Sequence, residues 1–177
     1  MKSWIRRIGV LFVSVLIVFV VGGMVLPTKY SLSRTIEIQA KPEAIHAYVG
    51  DLKKWDVWAP WKEEDPEIVT TYGEITSGVG ANQSWMDREG GGSLILTMSS
   101  PEKGIAYDLF FDQGKYQCKS AMLYKSLAEN MTKVTWSMQG DMNMPILGGY
   151  LAMTMDSMIG TMFERGLSKL KSQVEQR

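Results

Sequence analysis

The sequence predicts an α+β fold in which one curved antiparallel sheet packs around a single long C-terminal helix, preceded by one transmembrane helix. Two patterns carry this prediction. Between residues 32 and 140, apolar and polar residues alternate in short stretches divided by turn-forming residues, which is typical of strands joined by hairpins. After Pro145 the apolar period becomes that of a helix continuing to about Val174, and its wide apolar face needs a sheet to cover it.

Seven strands are predicted, and their short connections imply an antiparallel meander. The first runs from Leu32 to Gln39, and the others lie near residues 67–76, 81–88, 93–100, 104–112, 116–127 and 131–140. Alternation assigns three sets of side chains to the inner face of the sheet: Ile105, Tyr107, Leu109 and Phe111; Leu94, Leu96 and Met98; and Val134, Trp136 and Met138.

Two short helices are predicted between the first strand and the rest of the sheet. The first begins at Pro42, which suits the first turn of a helix, and its apolar stripe leaves His46 on the surface. Asp51 can cap the second, which leads into a tryptophan cluster and is closed by Pro60.

An uninterrupted apolar segment lies near the N-terminus. Residues 8–26 form a run of 19 without a charge, and such a helix is about 28 Å long, close to the roughly 30 Å apolar core of a bilayer. Lys2, Arg6 and Arg7 precede it, so the positive-inside rule predicts a cytoplasmic N-terminus and an extracytoplasmic domain. A cleaved signal peptide is the alternative, although the best cleavage sequence, Val21-Gly22-Gly23, is weak.

These elements divide the chain into four parts. Residues 1–7 form a cytoplasmic N-terminus, residues 8–26 a transmembrane signal anchor, residues 27–33 a linker, and residues 34–177 one domain. A linker of this length reaches at most about 25 Å, so the domain must lie close to the lipid surface.

Composition argues against several classes of function. The 19 basic and 19 acidic residues balance, so no excess positive charge points to nucleic acid. The only cysteine, Cys118, excludes an intrachain disulfide, and the only histidine, His46, excludes a multi-histidine metal site. Gly78-Val79-Gly80 opens no helix and does not fit a dinucleotide loop. We therefore expect no metal, no cofactor and no nucleic acid partner; the sequence identifies no protein partner.

Three stretches give the sequence its resemblance to a known superfamily. They are Arg34-Thr35-Ile36-Glu37-Ile38 with Ala40-Lys41-Pro42-Glu43; Asp51-Leu52 with Trp55, Trp58, Pro60 and Trp61; and Trp136 to Met142 with the C-terminal helix residues Gly166, Leu167 and Leu170. The sequence resembles the SRPBCC superfamily, the helix-grip fold of START lipid-transfer domains, birch-pollen-allergen-like proteins and polyketide cyclases. The pattern also resembles the bacterial polyketide cyclase/dehydrase-like branch of this superfamily. The resemblance covers roughly residues 33–176 and implies a cavity for a hydrophobic molecule.

Aromatic and methionine side chains are the candidate ligand contacts. Trp55, Trp58 and Trp61 form either a pocket wall or, as we favour, a plug that packs the short helices on the sheet. Six of the 13 methionines fall between residues 142 and 162, where they suit a flexible ligand or an irregular core. The predicted ligand-binding wall consists of Trp58, Trp61, Trp85, Tyr107, Trp136, Met155 and Met158.

The sequence favours a membrane-anchored domain that binds a hydrophobic small molecule or lipid between the sheet and the C-terminal helix. Two alternatives stay open. A cyclase- or dehydratase-like enzyme would need a buried polar pair in the cavity, whereas the acids Glu63-Glu64-Asp65 are predicted to be solvated, so no catalytic residue is assigned. A structural or partner-binding domain would instead have a filled core.

Overall fold

The computed structural model of the protein describes residues 2–87 and 90–176. Within them, seven strands form one antiparallel sheet: β1 (Lys29–Ile38), β2 (Val69–Tyr72), β3 (Asn82–Met86), β4 (Gly92–Ser100), β5 (Gly104–Phe111), β6 (Tyr116–Ala128) and β7 (Met131–Asp141). Their order across the sheet is β1-β7-β6-β5-β4-β3-β2. Strands β2 to β7 therefore follow one another as a meander, and β1 pairs with β7 at the far edge, which confirms the predicted sheet.

The helices are α1 (Lys2–Val25), α2 (Pro42–Val49), α3 (Trp61–Glu64) and α4 (Leu147–Glu175), with 3₁₀ helices at Leu52–Val57 and Asp112–Gly114. Helix α4 packs against the sheet through Phe163, Leu167 and Leu170, which are all buried. Burial of this apolar stripe is the main stabilising contact between helix and sheet. The predicted helix-grip arrangement is confirmed.

Most inner-face residues lie where strand alternation places them. The buried members include Ile105, Tyr107, Leu109, Leu94, Leu96, Val134, Trp136 and Met138. Met98 differs, because a β-bulge between Leu96 and Met98 interrupts the alternation and leaves Met98 only partly buried.

Two strand boundaries differ from those predicted. Strand β1 begins at Lys29, which pairs with Asp141 of β7, so only residues 26–28 separate it from α1 instead of a linker over residues 27–33. Strand β2 covers only Val69–Tyr72, the four residues that pair with β3. Arg88 at the end of the predicted third strand lies outside the described residues.

The short helices follow the prediction in part. The Asp51 carboxylate accepts a hydrogen bond from the Lys53 N–H at 3.1 Å and caps the 3₁₀ helix, as expected. Pro60 does not close the helical region: its carbonyl oxygen accepts the N–H groups of Glu63 and Glu64, so a third short helix, α3, follows.

His46 is not the surface residue that the sequence predicted. Its ring is partly buried between α2 and the sheet, where Nε2 lies 3.2 Å from Ser99 Oγ. The His46 and Tyr124 rings meet edge to face, with their centroids 6.1 Å apart. Burial disfavours the imidazolium form and lowers the pKa of His46 below its usual 6.5.

We expect the free energy of unfolding to fall as the pH decreases below about 6.5. The unfolded chain takes up a proton on His46 at a higher pH than the folded protein does, so protonation between the two pKa values favours unfolding. Denaturant midpoints of the full chain in detergent, measured from about pH 7.5 to about pH 5.5, check this. His46→Gln should remove this part of the pH dependence; an equal dependence in the variant would assign it to other groups.

Candidate functional site

A cavity of about 530 Å³ lies between α4, the tryptophan-rich segment and the β2–β5 side of the sheet. This volume falls within the roughly 300–1,000 Å³ of typical small-molecule sites. Aromatic and aliphatic side chains dominate its wall: Trp55, Trp61, Ile68, Trp85, Leu94, Tyr107, Leu109, Phe111, Met138, Ile159 and Met162. The cavity therefore suits an apolar molecule.

Polar groups lie on the cavity wall in two settings. The carboxylates of Glu64, Asp65 and Asp87 line its exposed or partly exposed part. The buried polar members of the described wall are Gln83 and Tyr107. Gln83 is only 7% exposed, and its Oε1 accepts no hydrogen bond from the described residues. The amide oxygen is therefore buried behind the wall surface without a hydrogen-bond partner in the described part of the chain.

Tyr107 already has a partner inside the core. Its Oη accepts a hydrogen bond from Trp136 Nε1 at 2.9 Å, and burial raises the pKa of the phenol. The hydroxyl is therefore protonated near neutral pH and orients the two rings. It is not a base in this state.

The tryptophan cluster divides into a structural part and a cavity part. Trp55 Nε1 donates to the Val49 carbonyl at 2.9 Å, and Trp58 Nε1 donates to the Tyr48 carbonyl at 3.3 Å. Both indole N–H groups thus bond to backbone carbonyls at the C-terminal end of α2, while their rings are buried. Trp61 packs edge-on against Trp136 at 6.0 Å and also faces the cavity. The favoured plug therefore describes Trp58, Trp61 belongs to the wall, and Trp55 contributes to both.

The seven predicted wall residues are distributed as follows. Trp61, Trp85 and Tyr107 line the cavity, and their contact with a ligand stays a prediction. Trp58 and Trp136 do not line it, because they are fully buried in the aromatic core behind the wall.

The two methionines of the predicted wall also lie outside the cavity lining. Met155 is partly buried against the core, and Met158 is 61% exposed. A helix rotates by about 100° per residue, so Ile159 faces the cavity while the preceding Met158 is turned away.

Several lining residues were not predicted. Leu94, Ile159 and Met162 carried an apolar signal that fitted a filled core equally well. Gln83 gave less signal, because a polar residue in a strand normally indicates the solvent side. Its spacing from Trp85 by two positions, which places both on one face of β3, could have revealed it.

The sequence predicted that the acidic run Glu63-Glu64-Asp65 is solvated, but two of its carboxylates form ion pairs next to the cavity. Glu64 forms an ion pair with Arg165, and Glu63 forms one with Lys169, so α3 is joined to the last turns of α4. Exposed pairs of this kind add about 0–1 kcal/mol each, so their main effect is to position α3 beside the cavity.

Cys118 and any described group of potential metal ligands are further candidates for a reactive site. Cys118 lies buried in β6, and burial raises the pKa of its thiol to about 11, which disfavours the reactive thiolate. In the part of the chain that the structure describes, no group of three His, Cys, Asp or Glu side chains is placed to bind a metal ion.

Helix α1 exposes its apolar side chains to the surroundings of the protein. Residues 6–25 have a mean hydropathy of 2.9, and only 6% of this segment is buried. Its length and composition fit a membrane span, and an N-terminal signal sequence shares them.

The C-terminal end of α1 packs closely on the start of α4. The Tyr150 hydroxyl donates to the Phe19 carbonyl at 3.0 Å, and the two rings stack with centroids 4.8 Å apart. A Cβ on Gly23 would lie 2.1 Å from the Ile146 oxygen, so glycine is required for this approach. We call this contact the α1–α4 contact.

The helix-grip fold and its cavity define a protein of the SRPBCC superfamily. The model of the family described as "Polyketide cyclase / dehydrase and lipid transport" matches residues 29–175, and the chain belongs to this family. No curated protein matches the sequence.

Solved structures share the fold at low sequence identity. A protein from Thermobifida fusca, solved by solution NMR, aligns with a TM-score of 0.64 and 17% identity over 82% of this chain and 93% of that chain. Norcoclaurine synthase from Thalictrum flavum, in complex with dopamine and hydroxybenzaldehyde, gives 0.60 and 8%, with coverages of 88% and 91%. Ara h 8.0201 gives 0.54 and 11%, with coverages of 84% and 99%. At these identities the likeness establishes the fold alone.

Proposed function

We propose that this protein is a membrane-anchored binding domain that holds a hydrophobic small molecule or lipid between the sheet and α4. The cavity is the observation that carries the proposal, since about 530 Å³ lined mainly by apolar side chains lies between the sheet and α4 and is within the range of small-molecule sites. The volume also speaks against the alternative of a filled structural core.

The wall also suggests the chemistry of the ligand. Its apolar part would bury most of the molecule, and Trp61 and Trp85 would contribute large contact areas. The Gln83 amide oxygen is covered by neighbouring atoms, so it presents no acceptor to the open space. A mainly apolar ligand fits this wall best.

The same wall gives little support to the enzyme alternative. A cyclase or dehydratase would need acid and base groups within reach of one another in a water-poor space. The described carboxylates of the wall lie in its exposed or partly exposed part, and its buried polar residues are an amide and a protonated phenol.

Membrane anchoring by α1 is part of the proposal. The span is long enough, and the α1–α4 contact packs its end against the domain, which favours a retained anchor over a cleaved peptide. Lys2, Arg6 and Arg7 favour a cytoplasmic N-terminus, with the binding domain on the opposite side.

A pair of substitutions on β2 tests the binding site. Thr70 lines the cavity, whereas Thr71, its neighbour, is exposed on the other face of the strand. Thr70→Trp should fill part of the cavity and reduce the apolar molecule extracted per mole of full-length protein by at least about tenfold, which requires a loss of at least about 1.4 kcal/mol of binding free energy. Solvent extraction followed by mass spectrometry measures this.

Thr71→Trp is the matched control, because it adds the same ring to the same strand outside the cavity. It should leave the extracted amount unchanged. Equal extraction from both variants would place the molecule elsewhere, and no extracted molecule from the wild type would contradict ligand binding itself.

A further inference from the structure

Charge is distributed unevenly along the end of the chain. Residues 142–155, which form the loop after β7 and the first turns of α4, contain no charged residue. Asp156 is the first, and it is paired with Arg34 at 2.8 Å. From Glu164 onward, charged residues recur at Arg165, Lys169, Lys171 and Glu175. We call residues 142–155 the uncharged segment.

The uncharged segment exposes large apolar side chains. Leu147 is 45% exposed, Leu151 40% and Met153 66%. Solvated helix faces of soluble domains carry charged or polar residues at such positions. These three side chains therefore indicate contact with an apolar partner rather than with water.

The α1–α4 contact identifies that partner. Tyr150 bonds to Phe19, which lies six residues before Val25 and thus about 9 Å inside the end of the apolar helix, at about 1.5 Å per residue. Leu147 and Leu151 lie within one turn of Tyr150 on the same helix. If α1 spans a bilayer, Tyr150 lies at the depth of the outer hydrocarbon region, where the Phe19 carbonyl accepts the hydrogen bond of its hydroxyl.

We infer that the uncharged segment enters the outer part of the bilayer beside α1, so that the first turns of α4 contact lipid directly. The inference rests on the proposed membrane anchoring. Lys29 and Asp141 are partners in the β1–β7 register at the adjoining end of the sheet, and these charged residues mark where the protein returns from lipid to water. The cavity residues Ile159 and Met162 follow about two turns later on the same helix, which places the cavity close to the source of an apolar ligand.

Site-specific labelling tests the inference in the full chain. Leu151→Cys and Met153→Cys, each in a Cys118→Ala background, are labelled with the fluorophore NBD and placed in nanodiscs of phosphatidylcholine and phosphatidylglycerol. We expect blue-shifted emission and strong quenching by nitroxide lipids. Ser168→Cys, exposed on the charged half of α4, is the matched control and should show neither.

Alkaline carbonate extraction of the same proteins separates the possible results. If the chain stays in the membrane and positions 151 and 153 respond like position 168, the inference is wrong while the anchor stands. Blue-shifted emission without lipid quenching would mean that protein covers the segment, for example a second copy, and would also overturn it. A chain that carbonate extracts would refute both the anchor and the inference.

Discussion

Replacing Trp136 with alanine should lower the free energy of unfolding by about 3–5 kcal/mol, the usual cost of removing a buried aromatic ring. Trp136 is fully buried and stacks on Phe163 of α4 with centroids 3.9 Å apart. It also contacts Trp58 at 5.5 Å. Because folded domains are stable by only about 5–15 kcal/mol, this single change should threaten folding at ordinary temperature.

Denaturant unfolding of wild type and variant in the same detergent measures the loss. Trp136→Phe is the control: it keeps a ring against Phe163 but loses the N–H that contacts Tyr107 Oη at 2.9 Å and Ser120 Oγ at 3.2 Å. It should therefore lose less stability than the alanine variant. A loss below about 1 kcal/mol for Trp136→Ala would mean that this ring does not join the sheet to α4.

Replacing Gly23 with leucine should separate α1 from α4. A Cβ there would lie 2.1 Å from the Ile146 carbonyl oxygen and 2.8 Å from its carbon, and a backbone group cannot move aside as a side chain can. The yield of cross-linking between cysteines introduced by Phe19→Cys and Tyr150→Cys, in a Cys118→Ala background, should fall by about tenfold or more. This corresponds to a loss of at least about 1.4 kcal/mol in the free energy of the α1–α4 contact.

Gly9→Leu is the matched control on the same helix, since nothing lies within 4 Å of a Cβ added at Gly9. Its cross-linking should equal that of the parent pair. Cross-linking that survives Gly23→Leu would show that the two helices do not meet as closely as the structure places them.

The fold was predictable because its signals are periodic and local. Alternation in the β5 and β7 sequences and the helical repeat through Phe163, Leu167 and Leu170 each require one apolar face to be covered. The bulge at Leu96–Met98 was not predictable, since an inserted residue changes the register without a distinctive composition.

The candidate site was predictable only in part, because facing a cavity and facing a core produce the same apolar pattern. Trp58 and Trp61 look alike in sequence, yet one indole donates to the Tyr48 carbonyl and the other borders open space. Likewise, one helical position separates the exposed Met158 from the cavity-facing Ile159. Such differences depend on how α4 is rotated against the sheet, which is a property of tertiary packing.

The same limit explains the error at His46. Its position off the apolar stripe of α2 predicted solvent exposure, but the helix is short and packs against the sheet near β5 and β6. Ser99 and Tyr124, which are far away in sequence, cover the ring.

Native mass spectrometry of the full-length protein, released gently from nanodiscs, tests the central claim most directly. Binding in the cavity predicts one apolar molecule per chain in the wild type and in Thr71→Trp, with loss of that adduct in Thr70→Trp. A wild-type protein whose mass equals that of the polypeptide alone, even after incubation with lipid extracts, would contradict the claim that the space between the sheet and α4 is a binding site.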